Sequence, residues 1–258
     1  TTYSSAITAT TLNTGSYAWT VPDSITTLAK VRVSDVVNAN ALDVSNGNFK
    51  IRGALVLNAP NGGEAWEIAT SRTIQWTRTG SLANVKLEYS TNGFTDELQT
   101  VVITASTPAD PLPADNIGTY AWTIPNATST TVKVRVSDAS DATVSDLSNA
   151  TFSIKGRLTL NVPNGGEVWV VATTQNIQWT RFGTIANVKL DYSTDGGVTY
   201  PVGNLIIAST PADPLPTDDI GTYSWTIPDA IGTQLRVRVS DAADVSTLDA
   251  SDVNFTVK

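Results

Sequence analysis

Cysteine, histidine and methionine are all missing from the 258 residues. Without cysteine there is no disulfide, thiol nucleophile or thiolate metal site, so stability has to come from packed cores. Without histidine the commonest general base, the usual triad partner and the commonest zinc ligand are lost together. Positive charge is also scarce. Lys plus Arg number 16 against 24 Asp plus Glu, and the net charge of -8 repels phosphate backbones and anionic membranes. Nucleic acid is therefore not an expected partner. No apolar run approaches the roughly 20 residues of a membrane helix, so no membrane insertion is expected in this segment.

What the chain does contain is repetition. Trp19, Trp122 and Trp225 recur at a step of 103 residues, as do Pro22, Pro125 and Pro228, and Phe49, Phe152 and Phe255. Trp66 and Trp169, Trp76 and Trp179, and Tyr89 and Tyr192 extend the register without insertion or deletion. A period near 100 residues is that of an independent domain, whereas solenoid repeats run to about 20–50. The spacing predicts complete repeats at residues 53–155 and 156–258, preceded at 1–52 by the second half of another. Thr1 aligns with Thr104, so the counterpart of Gly53 to Ile103 is absent. A half-sandwich of three strands is marginal in water. The chain reads as a window on a longer protein, continued upstream by residues resembling Gly53 to Ile103 and downstream by another Gly-x-Leu-x-Leu start.

Apolar and polar residues alternate in Val85-Lys86-Leu87-Glu88-Tyr89 and in Val132-Lys133-Val134-Arg135-Val136, which predicts half-buried strands. Further strands are expected at Leu55 to Leu57, Ala65 to Ile68, Thr73 to Thr77, Leu98 to Ile103, Tyr120 to Ile124 and Thr151 to Ile154, and no segment reads as a helix. Seven or eight short strands in about 100 residues, with Gly- and Asp-rich turns, predict an all-β chain of tandem immunoglobulin-like antiparallel β-sandwiches. Trp76, Tyr89, Trp122 and Val134 should face inward, with Trp179, Tyr192, Trp225 and Val237 as their counterparts. Strands 85–89 and 132–136 should be neighbours, with Glu88 near a cation on an exposed face.

The stretch from Leu158 through Pro163-Asn-Gly-Gly-Glu167-Val-Trp169, then Ile177-Gln-Trp-Thr180, Tyr223-Ser-Trp-Thr-Ile-Pro228 and Arg236-Val-Arg-Val-Ser-Asp241, carries a resemblance. It resembles the immunoglobulin- or fibronectin-III-like β-sandwich repeats of large microbial cell-surface and secreted proteins, and is similar to the Ser-Thr-rich glycolipid-anchored domain of fungal cell-wall proteins. The resemblance spans both complete copies and the fragment. It implies an extracellular or cell-surface spacer, stalk or wall-associated module, with no catalytic residues to carry over.

Five features stand out by the chemistry their residues allow: acidic loops, indoles, a repeated loop, a hairpin and glycosylation triplets. Asp241, Asp244, Asp249 and Asp252 crowd the loop before the last strand, matched by Asp138, Asp141 and Asp146 and by Asp35, Asn38, Asn40 and Asp43. Two readings stay open, solvated turns or a calcium ion stiffening a junction, because that loop faces the preceding repeat in this topology. Trp66 and Trp169, beside Gly-Gly turns, are the indoles best suited to a domain edge and hence to stacking on a sugar. Ser106 to Pro113 recurs letter for letter as Ser209 to Pro216, which suggests a shared packing contact or recent duplication. Ser193-Thr-Asp195-Gly-Gly197-Val-Thr199-Tyr200 reads as hairpin chemistry, and Asn126, Asn149 and Asn254 begin glycosylation triplets.

The expected function is a non-catalytic structural array forming a stiff rod, stalk or filament. Its partners would be neighbouring repeats and copies of itself in a fibre, because Lys155-Gly156-Arg157 is the whole connection between two copies. The alternative is a carbohydrate-binding or adhesive module acting on cell-wall polysaccharide. An enzyme ranks third, since Asp218 and Asp219 sit in a turn without a recognisable partner.

Overall fold

The structure, a computed structural model, describes residues 3, 5–112, 115–214 and 218–258. Residues 1–52 contribute short strands β1 (Thr26–Ala29), β2 (Arg32–Ser34), β3 (Leu42–Val44) and β4 (Phe49–Ile51), with β1 paired to β4 and β2 to β3. The first complete sandwich holds β5 (Ala54–Ala59), β6 (Ala65–Glu67), β7 (Ser71–Thr79), β8 (Asn84–Ser90), β9 (Thr100–Pro108), β10 (Ile117–Thr123), β11 (Ser129–Asp138), β12 (Ser145–Leu147) and β13 (Phe152–Lys155). The second repeats it with β14 (Arg157–Val162), β15 (Val168–Trp169), β16 (Thr174–Phe182), β17 (Asn187–Ser193), β18 (Leu205–Pro211), β19 (Ile220–Thr226), β20 (Gly232–Asp241), β21 (Leu248–Ala250) and β22 (Phe255–Val257).

In the first sandwich one sheet has the order β10-β7-β5 and the other β6-β13-β11-β8-β9, with β12 alongside β11. The second has the same orders one repeat on. Two facing sheets, three strands against six, enclose one core per copy, the immunoglobulin-like arrangement that the strand pattern predicts. Strands β8 and β11 are neighbours, Tyr89 opposite Val134 and Glu88 opposite Arg135.

Period-two alternation places the core. Trp76, Val134, Trp179 and Val237 are fully buried, Tyr89, Trp122 and Trp225 nearly so, and Tyr192 is half-buried against the core. Each central indole also has its polar atom satisfied, since Trp76 Nε1 donates to the Ala109 carbonyl and Trp179 Nε1 to that of Ala212, both at 2.9 Å. That bond places the recurring Ser-Thr-Pro-Ala-Asp loop against the core. Asp110 accepts from Arg78 at 2.9 Å and Asp213 from Arg181 at 2.8 Å, so Ala and Asp are both clamped to the strand that carries the Trp. Pro113, Leu215 and Pro216 of that loop lie outside the described residues.

Four details depart from the sequence reading. The sheets are not wholly antiparallel, because β6 runs parallel to β13 and β15 to β22. Single 3₁₀ turns occupy Glu97–Gln99 and Val202–Asn204. The counterpart of β10 in residues 1–52, around Tyr17 and Trp19, forms no strand. Glu88 is not exposed. It is 6% accessible, with Lys86 Nζ at 2.5 Å and Arg135 Nη2 at 3.0 Å, and Arg135 also pairs with Glu97 and lies over the Phe94 ring. Asp191 repeats this with Lys189 and Arg238, the latter covered by Tyr200.

Candidate inter-repeat interface

The repeats meet through residues that recur in register. At the connection, a Cβ on Gly156 would stand 2.7 Å from Ile185 and 3.1 Å from the Phe182 carbonyl, so only glycine lets the linker press against the β16–β17 turn of its own sandwich. The residue before it reaches across. Lys155, at the end of β13, donates to Asp244 at 2.9 Å and to Ser246 at 2.7 Å in the β20–β21 loop. One repeat earlier Arg52 donates to Thr143 Oγ1 at 2.9 Å in the β11–β12 loop.

A second contact lies beside it. Asp23 accepts from the Ser81 amide at 2.9 Å and from its hydroxyl at 2.5 Å, tying residues 1–52 to the β7–β8 turn. At the next junction Asn126 and Thr128 approach the matching turn, with the hydroxyls of Thr128 and Thr184 3.2 Å apart. Buried Ile68 fills the space over Gly183, whose φ of +87° and close neighbour leave no room for a side chain. A cleft lined by Ile25, Ile51, Arg52, Gly53 and Asp141 follows the first junction.

The carboxylates here are held ionised by hydroxyl and amide donors. Asp244 is held down to about 2 by the Ser246 hydroxyl, then by Lys155 and the Ser246 amide. Asp141 is lowered mainly by the Thr143 hydroxyl and amide, with Lys50 and Arg52 adding to this. Asp23 is lowered by the hydroxyl and amide of Ser81. Asp141 and Asp244 thus close Asx-type turns that face the preceding repeat, whereas the donors of Asp23 belong to the next one.

The aspartates proposed for calcium do not assemble. Asp146 accepts from the Leu57 amide at 2.8 Å and Asp249 from the Leu160 amide at 2.7 Å, binding each β12 or β21 segment to the first strand of its sandwich. Asp138 closes a turn on Ser140 and Asp241 one on Ala243, while Asp252 accepts from Asn164 at 2.9 Å. Among the described residues no group of three carboxylates forms a cation-sized cluster. The physical reason is β12 and β21. A strand inserted in the loop spreads its aspartates over separate partners.

The two indoles proposed for sugar stacking are in the cores. Trp66 is 9% and Trp169 7% accessible, lying 5.0 Å from Phe152 and 4.9 Å from Phe255 between ring centroids. The preceding turn puts them there, because Glu64 accepts from the Asn61 and Gly62 amides, and Glu167 from those of Asn164 and Gly165. The Pro-Asn-Gly-Gly-Glu-x-Trp motif is thus a turn closed by its own Glu. Asp195 closes its hairpin on Ser193 and Thr199 and is likewise lowered to about 2, first by the Ser193 hydroxyl and then by Thr199. Asp218 accepts from the Ile220 amide, and Asp219 lies 3.4 Å from Arg181. Asn254 accepts from Arg236, and Asn126 lies at the second junction.

No family model matches the chain, and no curated protein matches it. Among solved structures it is similar to the fibronectin(III)-like modules of CbhA from Clostridium thermocellum, at 20% identity over 79% of this chain and 94% of that one, with a TM-score of 0.26. It is also similar to titin domains Z1Z2 in complex with telethonin, at 13% identity over 80% and 96%, TM-score 0.24. A third is the ectodomain of the teleost fish polymeric Ig receptor, at 10% identity over 80% and 98%, TM-score 0.30. The fold assignment rests on the strand order above.

Proposed function

We propose that the chain is a non-catalytic structural array whose repeats, at 1–52, 53–155 and 156–258, lock end to end into a stiff rod, stalk or filament segment. One observation carries this reading. Both junctions bring the same segments together, a cation at the end of one repeat on the Thr143 or Ser246 hydroxyl of the next, and the loop after Pro22 or Pro125 on the next Gly-Ser/Thr turn, through Asp23 at the first and Thr128 at the second. A junction that recurs in register repeats its rotation, and repeated rotation extends an array in one direction. The setting we infer is extracellular, on a microbial cell surface, consistent with a cysteine-free acidic chain whose surface carboxylates serve turns and contacts. The adhesive alternative would need a polysaccharide face other than the buried Trp66 and Trp169.

Residual dipolar couplings measured for both complete sandwiches in one aligned sample test the proposal. A single alignment tensor is the expected result, and independent tensors would overturn it.

A further inference from the structure

Residues 17–51 carry the core side chains of a complete sandwich and leave them uncovered. Val33 is 68% exposed, whereas its counterparts Val136 and Val239 are fully buried. Phe49 and Ile51 are half-buried, whereas Phe152, Ile154, Phe255 and Val257 are within 2% of full burial. In the complete copies Trp66 and Trp169 lie on the equivalent phenyl rings. Phe49 instead meets Trp19, the counterpart of Trp122, edge-on at 6.4 Å.

Polar groups on this half follow the same pattern. Asp146 and Asp249 accept from the Leu57 and Leu160 amides, and the hydroxyls of Ser148 and Ser251 donate to the carbonyls of Pro60 and Pro163 at 2.8 and 2.7 Å. Their counterparts in the fragment are Asp43 and Ser45. Ser45 already accepts from the Val31 amide, as Ser148 does from Val134 and Ser251 from Val237. What is missing is the first strand that would donate to Asp43 and accept from Ser45.

We infer that residues 17–51 are the acceptor half of a sandwich and that the occupant is a polypeptide segment with the pattern of residues 53–103. A Leu-x-Leu strand would supply its amide to Asp43 and a following proline carbonyl to Ser45, and the Gly-Gly-Glu-x-Trp turn would seat an indole on Phe49. This is completion of a fold by added strands, with backbone bonds for affinity and alternate side chains for specificity. A lipid surface would leave Asp43 and Ser45 without partners. A second copy of this chain has its own two such segments folded into its own sandwiches.

The test places the sequence of residues 53–103 directly ahead of Thr1 in the full chain and follows amide exchange by mass spectrometry. Exchange across 26–51 should slow by about 100-fold or more, while 129–155 stays unchanged. Asp43→Ala with Ser45→Ala in the fused chain should return a measurable part of that protection. If the fusion precipitates, the same segment added as a separate polypeptide is read in the same way. Unchanged exchange across 26–51 in that assay overturns the inference, as does protection insensitive to the double substitution. Protection of the unfused chain that rises with its own concentration assigns the face to a second copy and also overturns it.

Discussion

Lys155 and Asp244 belong to consecutive sandwiches, 89 residues apart in sequence, and their charged atoms meet at 2.9 Å across the junction. Both side chains remain partly exposed, so the pair adds no more than about 0–1 kcal/mol to stability. Its consequence is orientation. Arg52 stands where Lys155 does one repeat earlier and donates to Thr143, the counterpart of Ser246.

Acid should loosen this junction. Asp244 is lowered from its ordinary 3.8 to about 2, so what its ionised form contributes is complete above about 4 and lost as pH falls through about 2. Small-angle scattering should broaden over that interval while near-ultraviolet circular dichroism still reports folded cores. Lys155→Ala should show the loosened profile already at neutral pH. A scattering profile unchanged by both would remove the pair from the account.

Gly183→Ala should strain the second junction at two levels. The left-handed backbone costs a non-glycine residue about 1–2 kcal/mol, and the new methyl would fall 2.3 Å from Ile68 Cδ1 in the preceding sandwich. Thermal denaturation should therefore show a destabilised second sandwich. Adding Ile68→Ala should relieve the steric part and leave the backbone part. Wild-type stability for Gly183→Ala would contradict this geometry.

Asp191→Asn and Glu88→Gln should differ, although the positions are equivalent. Arg238 has Asp191 as its carboxylate partner, whereas Arg135 keeps Glu97 when Glu88 is neutralised. Loss of a charge-assisted bond at a buried acid costs about 1.5–3 kcal/mol, so Asp191→Asn should fall in that range and Glu88→Gln below it. Chemical denaturation of each variant decides, and an equal loss at both sites would show that Glu97 does not compensate.

Most of the fold was legible because one face of each strand is buried and alternation records it, as at Val132, Val134 and Val136. Glu88 was misplaced for the same reason. Alternation assigns a residue to a face, but what covers that face is Arg135 and the Phe94 loop, and loop cover has no periodicity. Trp66 sits in a run of three residues, too short to carry a phase, and its burial follows from parallel pairing with a strand far along the chain. The junction was legible only as a short linker. Its partners lie on loops of the neighbouring repeat, and nothing local in Lys155 or Asp23 names them.

The absence of cysteine makes the decisive measurement clean. Thr119→Cys and Thr222→Cys place spin labels at equivalent exposed positions of the two sandwiches, and pulsed dipolar spectroscopy reads the distance between them. Locked junctions predict one narrow distance distribution at neutral pH that widens in Lys155→Ala. A broad distribution in the otherwise unchanged chain would contradict the central claim that consecutive repeats hold a fixed orientation.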